Sequence, residues 1–166
     1  MDDDGGLDLV HVGQAPSSVA RCTGTSRLET TSAIVVPGLW LGGVFAPVPD
    51  RAAVVVTLDE TAPPLGRSGV IEVRAPFLDS RWQPVDRGQL ESAVEAAADK
   101  LDGGVYIRCR HGLNRSALVA ALALRTHGWQ VEQAVAAIRD ARPGALGNPY
   151  FGALVHAWPR DPMRGR

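Results

Sequence analysis

The fold and the chemistry of this chain turn on one short stretch, Ile107-Arg108-Cys109-Arg110-His111-Gly112-Leu113-Asn114-Arg115-Ser116. A short apolar run with strand character, residues 105–107, leads into it, and a long apolar run with helical character, ending near 127, follows it. A strand that ends at Cys109 and a helix that begins near Arg115 bring backbone N–H groups together at a positive helix N-terminus. The stretch therefore predicts a cup for a tetrahedral anion such as phosphate.

Four residues of this cup have predicted roles in phosphate chemistry. Cys109 is the candidate nucleophile, because the field of the loop favours the reactive thiolate. Arg115 offers a planar, charged fork that can hold two phosphate oxygens and stabilise a transition state. Ser116 can donate a hydrogen bond to the sulfur and help it leave, or it is an ordinary serine in the first turn of a helix. Gly112 lets the backbone bend and approach the ligand closely.

The rest of the cup contributes backbone N–H groups and side chains at its rim. These residues are Arg110, His111, Leu113 and Asn114. Arg110 and His111 either favour acidic or polyphosphorylated substrates or are solvated side chains without selectivity. A plainer interpretation of Cys109, a buried inert thiol, is disfavoured by its polar neighbours.

Composition excludes several classes of protein. The chain has 166 residues, 45% of them hydrophobic, which suffices for one domain with a core that needs neither disulfides nor metal. A formal net charge of −1 argues against a nucleic-acid or anionic membrane surface. The two cysteines, Cys22 and Cys109, are too few for a secreted disulfide scaffold, and the acidic N-terminus does not resemble a signal peptide. No apolar run is long enough to span a bilayer. We expect a cytoplasmic monomer.

Pattern along the chain predicts three regions. Residues 1–30 are rich in Gly, Ser, Thr and Asp and are predicted to be a flexible extension, residues 31–160 the folded domain, and residues 161–166 a tail. Strands alternating with helices, followed by a run of helices, predict an α/β fold with a central, mainly parallel sheet flanked by helices. The predicted strands are 33–36, 39–41, 52–58, 70–73 and 105–107, and the predicted helices are 86–101, 115–127, 131–141 and 150–158.

Hydrolysis through a nucleophile needs a proton donor for the departing oxygen, held on a loop that faces the cup. Residues 75–84 carry prolines near both ends and lack a helical period, so they form a candidate functional loop. Asp79 in this loop is the candidate acid, and its plainer interpretation is a turn residue that binds Arg81 or backbone. Asp86 is the second candidate, although a helix N-cap explains it better. Trp82 flanks an aromatic substrate ring or anchors its own loop.

The Cys109 loop resembles the CxxGxxRS signature of cysteine-dependent protein tyrosine phosphatases, and residues 34–158 resemble their dual-specificity branch. Residues 36–43 (VPGLWLGG) are similar to the strand that opens that domain, and Arg142-Pro143, Asn148 and Phe151 resemble its closing helical stretch. This resemblance implies the phosphotyrosine phosphatase fold of the dual-specificity type. It also implies hydrolysis of phosphomonoesters through a phosphocysteine intermediate, without metal or cofactor.

Carried over by residue, the resemblance places Asp79 on the general-acid loop and lets Asn148 brace the phosphate loop, although an Asn before Pro is also a plain turn residue. The sequence departs from the pattern at two positions. Arg108 stands where the family usually has His before the nucleophile, which implies a different hydrogen-bond network. Asn114 makes residues 111–115 similar to the loop of RNA 5′-triphosphatases related to capping enzymes.

Three functions follow as hypotheses. The first is a phosphatase for phosphotyrosine and, with it, phosphoserine and phosphothreonine in proteins. The second uses the same mechanism on RNA 5′-phosphates, nucleotides or phosphoinositides, and it leaves an RNA 5′-end open as a substrate although the net charge disfavours a long nucleic-acid partner. The third is a phosphate-binding pseudophosphatase module, for which Arg108 is the support.

Overall fold

Five strands and four α-helices build residues 26–159, the part of the chain that this computed structural model describes. Cys22 and most of the predicted extension, together with the predicted tail, lie outside these residues. The strands are β1 (Ser32–Val36), β2 (Leu39–Gly43), β3 (Val54–Thr57), β4 (Ile71–Arg74) and β5 (Val105–Cys109). The helices are α1 (Arg87–Ala98), α2 (Arg115–Thr126), α3 (Val131–Ala141) and α4 (Pro149–Ala157). Every predicted element is present, with bounds that differ by up to three residues.

The sheet has the order β1-β2-β5-β3-β4, in which β1 is antiparallel to β2 and the other pairs are parallel. The predicted fold, a mainly parallel sheet flanked by helices, is therefore confirmed. Strand β5 is central, with Cys109 opposite Gly43 at its carboxyl end. In open α/β sheets ligands bind beyond the carboxyl ends of the strands, so the topology sets Cys109 at the edge where a site is expected.

Helix α2 forms the centre of the core. All ten residues from Ser116 to Arg125 are buried, which agrees with a helix that is apolar on nearly every face. Strand β5 is also buried along its whole length. Packing on all sides thus fixes the helix that follows Cys109 and places its N-terminus at the sheet edge.

The segment before β1 packs against the rest of the domain. A 3₁₀ turn, Arg27–Thr30, is capped by Ser26, and its Glu29 is buried. The Glu29 carbonyl accepts a hydrogen bond from the Phe45 backbone N–H at 2.9 Å. These contacts extend the packed domain back to Ser26, five residues before the boundary predicted at residue 31. None of the helices within residues 26–159 has the length and apolar character needed to cross a membrane.

Candidate active site

The Cys109 sulfur lies at the base of the cup. Strand β5 ends at Cys109, and its Sγ atom is 3.3 Å from the Ser116 hydroxyl oxygen in the first turn of α2. Both residues are buried, and the Cys109 sulfur is a free thiol. The two side chains that the sequence assigns to nucleophile and hydroxyl donor are therefore brought together.

Gly112 lets the loop close against the end of β2. Its φ of +66° lies in the left-handed region, and a Cβ atom there would fall 2.6 Å from the Gly42 carbonyl carbon. Such an approach excludes any side chain, because real Cβ atoms do not come so close to backbone. The loop is thus wrapped tightly by backbone contact, as a close-fitting anion cup requires.

Arg115 reaches across to the loops that follow β3 and β4. Its Nη1 donates to the carbonyl oxygens of Leu58 at 3.0 Å and Phe77 at 3.2 Å, and its Nη2 donates to Asp59 Oδ2 at 2.7 Å. A guanidinium has five N–H groups. The Nε–H and one Nη2–H have no acceptor among residues 26–159, so two donors are available to a phosphate.

Asp59 is a site residue that the sequence analysis missed. Burial alone would raise the pKa of Asp59, but hydrogen bonds from Thr61 and Arg115, with the Arg115 charge, hold this pKa below its ordinary value. Asp59 is therefore an anion that fixes the Arg115 fork. A signal was present, since Asp59 directly follows the predicted strand 52–58 and lies two residues beyond β3 at the carboxyl edge of the sheet.

Asp79 is held by two side-chain amides. Its Oδ2 accepts from Asn114 Nδ2 and its Oδ1 accepts from Asn148 Nδ2, both at 2.9 Å. The plainer interpretation of Asp79, a turn residue that binds Arg81 or backbone, does not match these partners. Asp79 instead connects its own exposed loop to the phosphate loop and to the start of α4.

A surface cleft of about 400 Å³ opens beside Asp79. Trp82 contributes to its lining and is 89% exposed, so the interpretation that Trp82 anchors its loop is wrong. The second acid candidate, Asp86, is the N-cap of α1 and accepts from the Gln89 backbone N–H at 3.0 Å. Asp79 is thus the carboxylate at the cleft, and Asp86 is accounted for by helix capping.

Asn148 has partners other than the predicted ones. It is buried, caps α4 through the Tyr150 backbone N–H and donates to Asp79, whereas we expected it to brace the phosphate loop directly. The loop is braced from elsewhere, because the Leu113 carbonyl accepts from the Leu146 N–H at 3.0 Å. Leu113 is the residue that follows Gly112 in the turn of the cup.

Arg142 supplies the main brace behind the loop, a role that the sequence analysis did not give it. Its Nη2 donates to the carbonyls of His111 at 2.7 Å and Leu28 at 2.9 Å, and its Nη1 donates to Thr31 Oγ1. Burial lowers the pKa of Arg142, and its interaction with Cys109 opposes this change. The guanidinium remains charged and holds the loop from behind through the His111 carbonyl.

Glu29 contacts both rim side chains, Arg110 and His111. Its Oε1 forms an ion pair with Arg110 Nε and lies 3.6 Å from His111 Nε2. Arg110 and His111 are about half exposed, so both stand at the rim, as predicted, with an anion between them. Glu29 was not predicted as a site residue because residue 29 falls in the predicted extension.

Arg108 points away from Cys109, since successive side chains of a strand face opposite sides of the sheet. It is buried, with 3% of its surface exposed. Its donors bind Thr57 Oγ1, Glu72 Oε1 and the carbonyls of Val44 and Pro63. The unusual residue before the nucleophile therefore belongs to a buried polar network behind the sheet. Across residues 26–159 no group of three or more His, Cys, Asp or Glu side chains is arranged to hold a metal ion.

The chain is similar to phosphatases in sequence. No family model matches it. It is 30% identical over 153 residues to human dual specificity phosphatase 28, with 86% of each chain covered. It is 34% identical over 112 residues to human protein tyrosine phosphatase type IVA 3, with 66% of this chain and 63% of that protein covered.

Solved structures give the same result. The crystal structure of human dual specificity phosphatase 28 matches with a TM-score of 0.66 and 27% identity, covering 76% of this chain and 91% of that one. A mouse putative dual specificity phosphatase complexed with zinc tungstate matches with a TM-score of 0.64 and 29% identity, covering 76% and 85%. Fold and sequence therefore agree on one family.

Proposed function

The chain belongs to the cysteine-dependent protein tyrosine phosphatases of the dual-specificity type and is a phosphatase, and we propose that it hydrolyses phosphomonoesters through a phosphocysteine on Cys109. The observation that carries this proposal is the position of the Cys109 sulfur, 3.3 Å from the Ser116 hydroxyl at the N-terminus of α2. Backbone N–H groups and the helix dipole at this point stabilise an anion, which is the charge of both thiolate and phosphate.

The reaction has two steps. In the first, the Cys109 thiolate attacks phosphorus, an S–P bond forms, the ester P–O bond breaks, and Asp79 gives its proton to the departing oxygen. In the second, Asp79 takes a proton from water, the water oxygen attacks phosphorus, and the S–P bond breaks. Ser116 donates a hydrogen bond to the departing sulfur, and the free N–H groups of Arg115 hold phosphate oxygens in both steps.

Phosphotyrosine is the substrate that we propose first, with phosphoserine and phosphothreonine beside it. The names of the two human relatives support this class. The mouse relative is complexed with tungstate, a tetrahedral oxyanion like phosphate, and an oxyanion of this shape suits the cup at Cys109. Trp82 offers an exposed aromatic face beside the cleft for a substrate ring.

The nucleophile is tested by comparing the two cysteines. Wild type, Cys109→Ser and Cys22→Ser are assayed on an aryl phosphate at mildly acidic pH. We expect Cys22→Ser to match wild type and Cys109→Ser to lose turnover completely, because serine is not ionised in the cup. Turnover that survives in Cys109→Ser contradicts the proposal.

The acid is tested by comparing two aspartates. Asp79→Asn should lower kcat/KM, which reports the steps up to cleavage of the ester bond, by about 10²-fold for a phenolic leaving group and by much less for a dinitrophenol, which departs without a proton. Asp86→Asn is the matched control, since Asn also caps helices. Equal losses on both substrates in Asp79→Asn remove Asp79 from the acid role.

A second candidate function is hydrolysis of RNA 5′-phosphates, and Asn114 in residues 111–115 is the observation that favours it. The net charge of −1 counts against a long RNA partner. Nucleotides and phosphoinositides fall in the same class of alternatives. A phosphotyrosine peptide and a 5′-triphosphorylated oligonucleotide assayed side by side discriminate the two, and we expect higher kcat/KM on the peptide.

We propose catalysis rather than phosphate binding alone, and the donors of Arg108, which bind protein acceptors behind the sheet, support this by leaving the cup to the other residues. A cytoplasmic monomer completes the proposal. A free nucleophilic thiol suits a reducing compartment. Light scattering of the purified protein measures the oligomeric state.

A further inference from the structure

Asn114 contacts two partners, and together they fix the orientation of its amide. Its Oδ1 accepts a hydrogen bond from the Gly147 backbone N–H at 3.0 Å, and its Nδ2 donates to Asp79 Oδ2 at 2.9 Å. A backbone N–H is only a donor, so the amide oxygen must face Gly147. The NH₂ group must therefore face Asp79.

Asn148 repeats this arrangement on the other carboxylate oxygen. Its Oδ1 accepts from the Tyr150 backbone N–H at 3.0 Å, while its Nδ2 donates to Asp79 Oδ1 at 2.9 Å. Both oxygens of Asp79 thus face NH₂ groups, and each NH₂ group is fixed by a backbone N–H at the far end of its amide.

Two donor amides determine where a proton on Asp79 can point. An NH₂ group cannot accept a hydrogen bond, so the hydroxyl hydrogen of protonated Asp79 has no acceptor in Asn114 or Asn148. It is left to point into the open cleft that all three residues line. A departing oxygen that enters this cleft can therefore take the proton.

The acid loop is attached to the phosphate loop by consecutive residues. Arg115 donates to the Phe77 carbonyl at 3.2 Å, and Asn114 donates to the Asp79 carboxylate two residues further along. The acid is thereby placed relative to the residues that hold phosphate, although Asp79 itself is exposed and lies outside any helix or strand.

We propose that Asn114 is a positioning residue for the general acid, which orients the Asp79 proton towards the leaving group with Asn148 as its partner. This inference rests on the proposed function, since it needs Asp79 to be the acid. It gives the unusual residue before Arg115 a role in the chemistry of the protein rather than in the choice of an RNA substrate.

The test uses full-length protein and a series of aryl phosphates whose leaving groups range from phenol to dinitrophenol. Asn114→Ala removes both contacts of the amide, whereas Asn114→Asp keeps the acceptor for Gly147 and replaces the donor to Asp79 by an oxygen. We expect both variants to lower kcat/KM for phenyl phosphate by roughly 10-fold to 10²-fold, since small misplacements of a reacting group have effects of this size. The loss in kcat/KM should shrink towards dinitrophenyl phosphate.

A double-mutant cycle separates positioning from support of the fold. If Asn114 acts through the acid, Asn114→Ala adds no further loss of kcat/KM in an Asp79→Asn background. Thermal midpoints of all variants identify any that fold poorly. If Asn114→Ala folds poorly, Asn114→Asp still tests the inference. Losses in the two Asn114 variants that are equal for every leaving group, or that add to the Asp79→Asn loss, overturn the inference.

Failure of the proposed function gives a different result. If Asp79→Asn shows no dependence on the leaving group, the acid assignment itself is wrong and the positioning role falls with it. If Asp79→Asn shows a steep dependence while both Asn114 variants behave as wild type, only the positioning role is wrong.

Discussion

Arg108 and Asn114 lie on either side of Cys109 in the sequence, and their side chains serve opposite regions of the molecule. Behind the sheet is the rear network, Arg108, Glu72 and Thr57, which is buried or half-buried and linked by an ion pair and hydrogen bonds. On the other side is the acid clamp, Asp79, Asn114 and Asn148, which lies at an open cleft and is linked by amide to carboxylate bonds. The rear network should set stability, and the acid clamp should set the response to the leaving group.

The largest expected effect comes from the rear network. Arg108→Met leaves Glu72 without its buried partner and should lower the free energy of unfolding by about 3 kcal/mol. Arg74 binds the same Glu72 oxygen at 2.9 Å but is more exposed, at 37% of its side-chain surface against 4% for Arg108, so Arg74→Met is the matched control with a cost of about 1 kcal/mol. Urea denaturation measures both. An Arg108→Met variant of normal stability that is inactive would place Arg108 in the chemistry instead.

The next effect concerns Asn148, which belongs to the acid clamp and also caps α4. Asn148→Ser keeps a good capping residue but cannot reach Asp79, so kcat/KM for phenyl phosphate should fall about 10-fold with stability nearly unchanged. Asn148→Ala should show the same kinetic loss and a further decrease of about 1 kcal/mol in stability. Full activity in Asn148→Ser would show that Asn114 alone suffices to position the acid.

A smaller effect is expected at Glu29, which pairs with Arg110 at the rim of the cup. Glu29→Gln should cost about 1 kcal/mol of stability, because its partner Arg110 can be solvated when the pair is lost. The change also frees positive charge beside the cup, so KM for a phosphopeptide with acidic flanks should fall relative to one with neutral flanks. Equal KM ratios in wild type and variant would mean that Arg110 and His111 have no part in selectivity.

Acid pH tests the two carboxylates whose pKa is lowered, Glu72 and Asp59. The pKa of Glu72 is lowered because hydrogen bonds from Thr57 and Arg108, with the Arg108 charge, outweigh the burial that would raise it. The pKa of Asp59 is lowered in the same sense. A lowered folded-state pKa gives stability that is present above the unfolded values, about 3.9 for Asp and 4.3 for Glu, and lost as pH falls through the folded ones.

We therefore expect these two carboxylates to leave the thermal midpoint unchanged at mildly acidic pH. Below about pH 4 the midpoint should fall steeply. In Asp59→Asn with Glu72→Gln this fall should be weaker, although the double variant starts from a lower stability at neutral pH. A wild-type midpoint that does not decrease below that pH would contradict the two carboxylate assignments.

The smallest effect is expected at Trp82. An exposed side chain contributes little to folding, so Trp82→Ala should change stability by less than about 0.5 kcal/mol. If its ring packs on the substrate, KM for a phosphotyrosine peptide should rise by roughly 2-fold to 10-fold, the size of one aromatic contact. A KM that does not change would remove Trp82 from substrate binding.

The same contrast explains what could be read from the sequence. The phosphate loop could be predicted because its determinants are local, namely a strand, Gly112 and a buried helix that follow one another along the chain. The acid clamp could be predicted only in part. Asp79 was found from its loop, but its link to Asn114 and Asn148 joins residues 35 and 69 positions apart, and no pattern in the sequence reports such contacts.

Three other site residues were missed for physical reasons of the same kind. Glu29 belongs to a polar segment whose burial depends on packing against the loop. Arg142 reaches the His111 carbonyl from a position 31 residues later. Asp59 alone left a local signal, a carboxylate directly after the predicted strand 52–58. Tertiary contact, rather than local propensity, therefore decides which polar residues join this site.

The central claim, a phosphocysteine on Cys109, is tested most directly by trapping the intermediate. Asp79→Asn is mixed with dinitrophenyl phosphate, which forms the intermediate without an acid while the second step lacks its base, and the reaction is quenched with acid within the first turnovers. We predict that mass spectrometry of the digested protein finds one added phosphoryl group on the peptide that contains Cys109, and none in Cys109→Ser. Continued turnover with no adduct on Cys109, or with the phosphoryl group on another residue, would contradict the account.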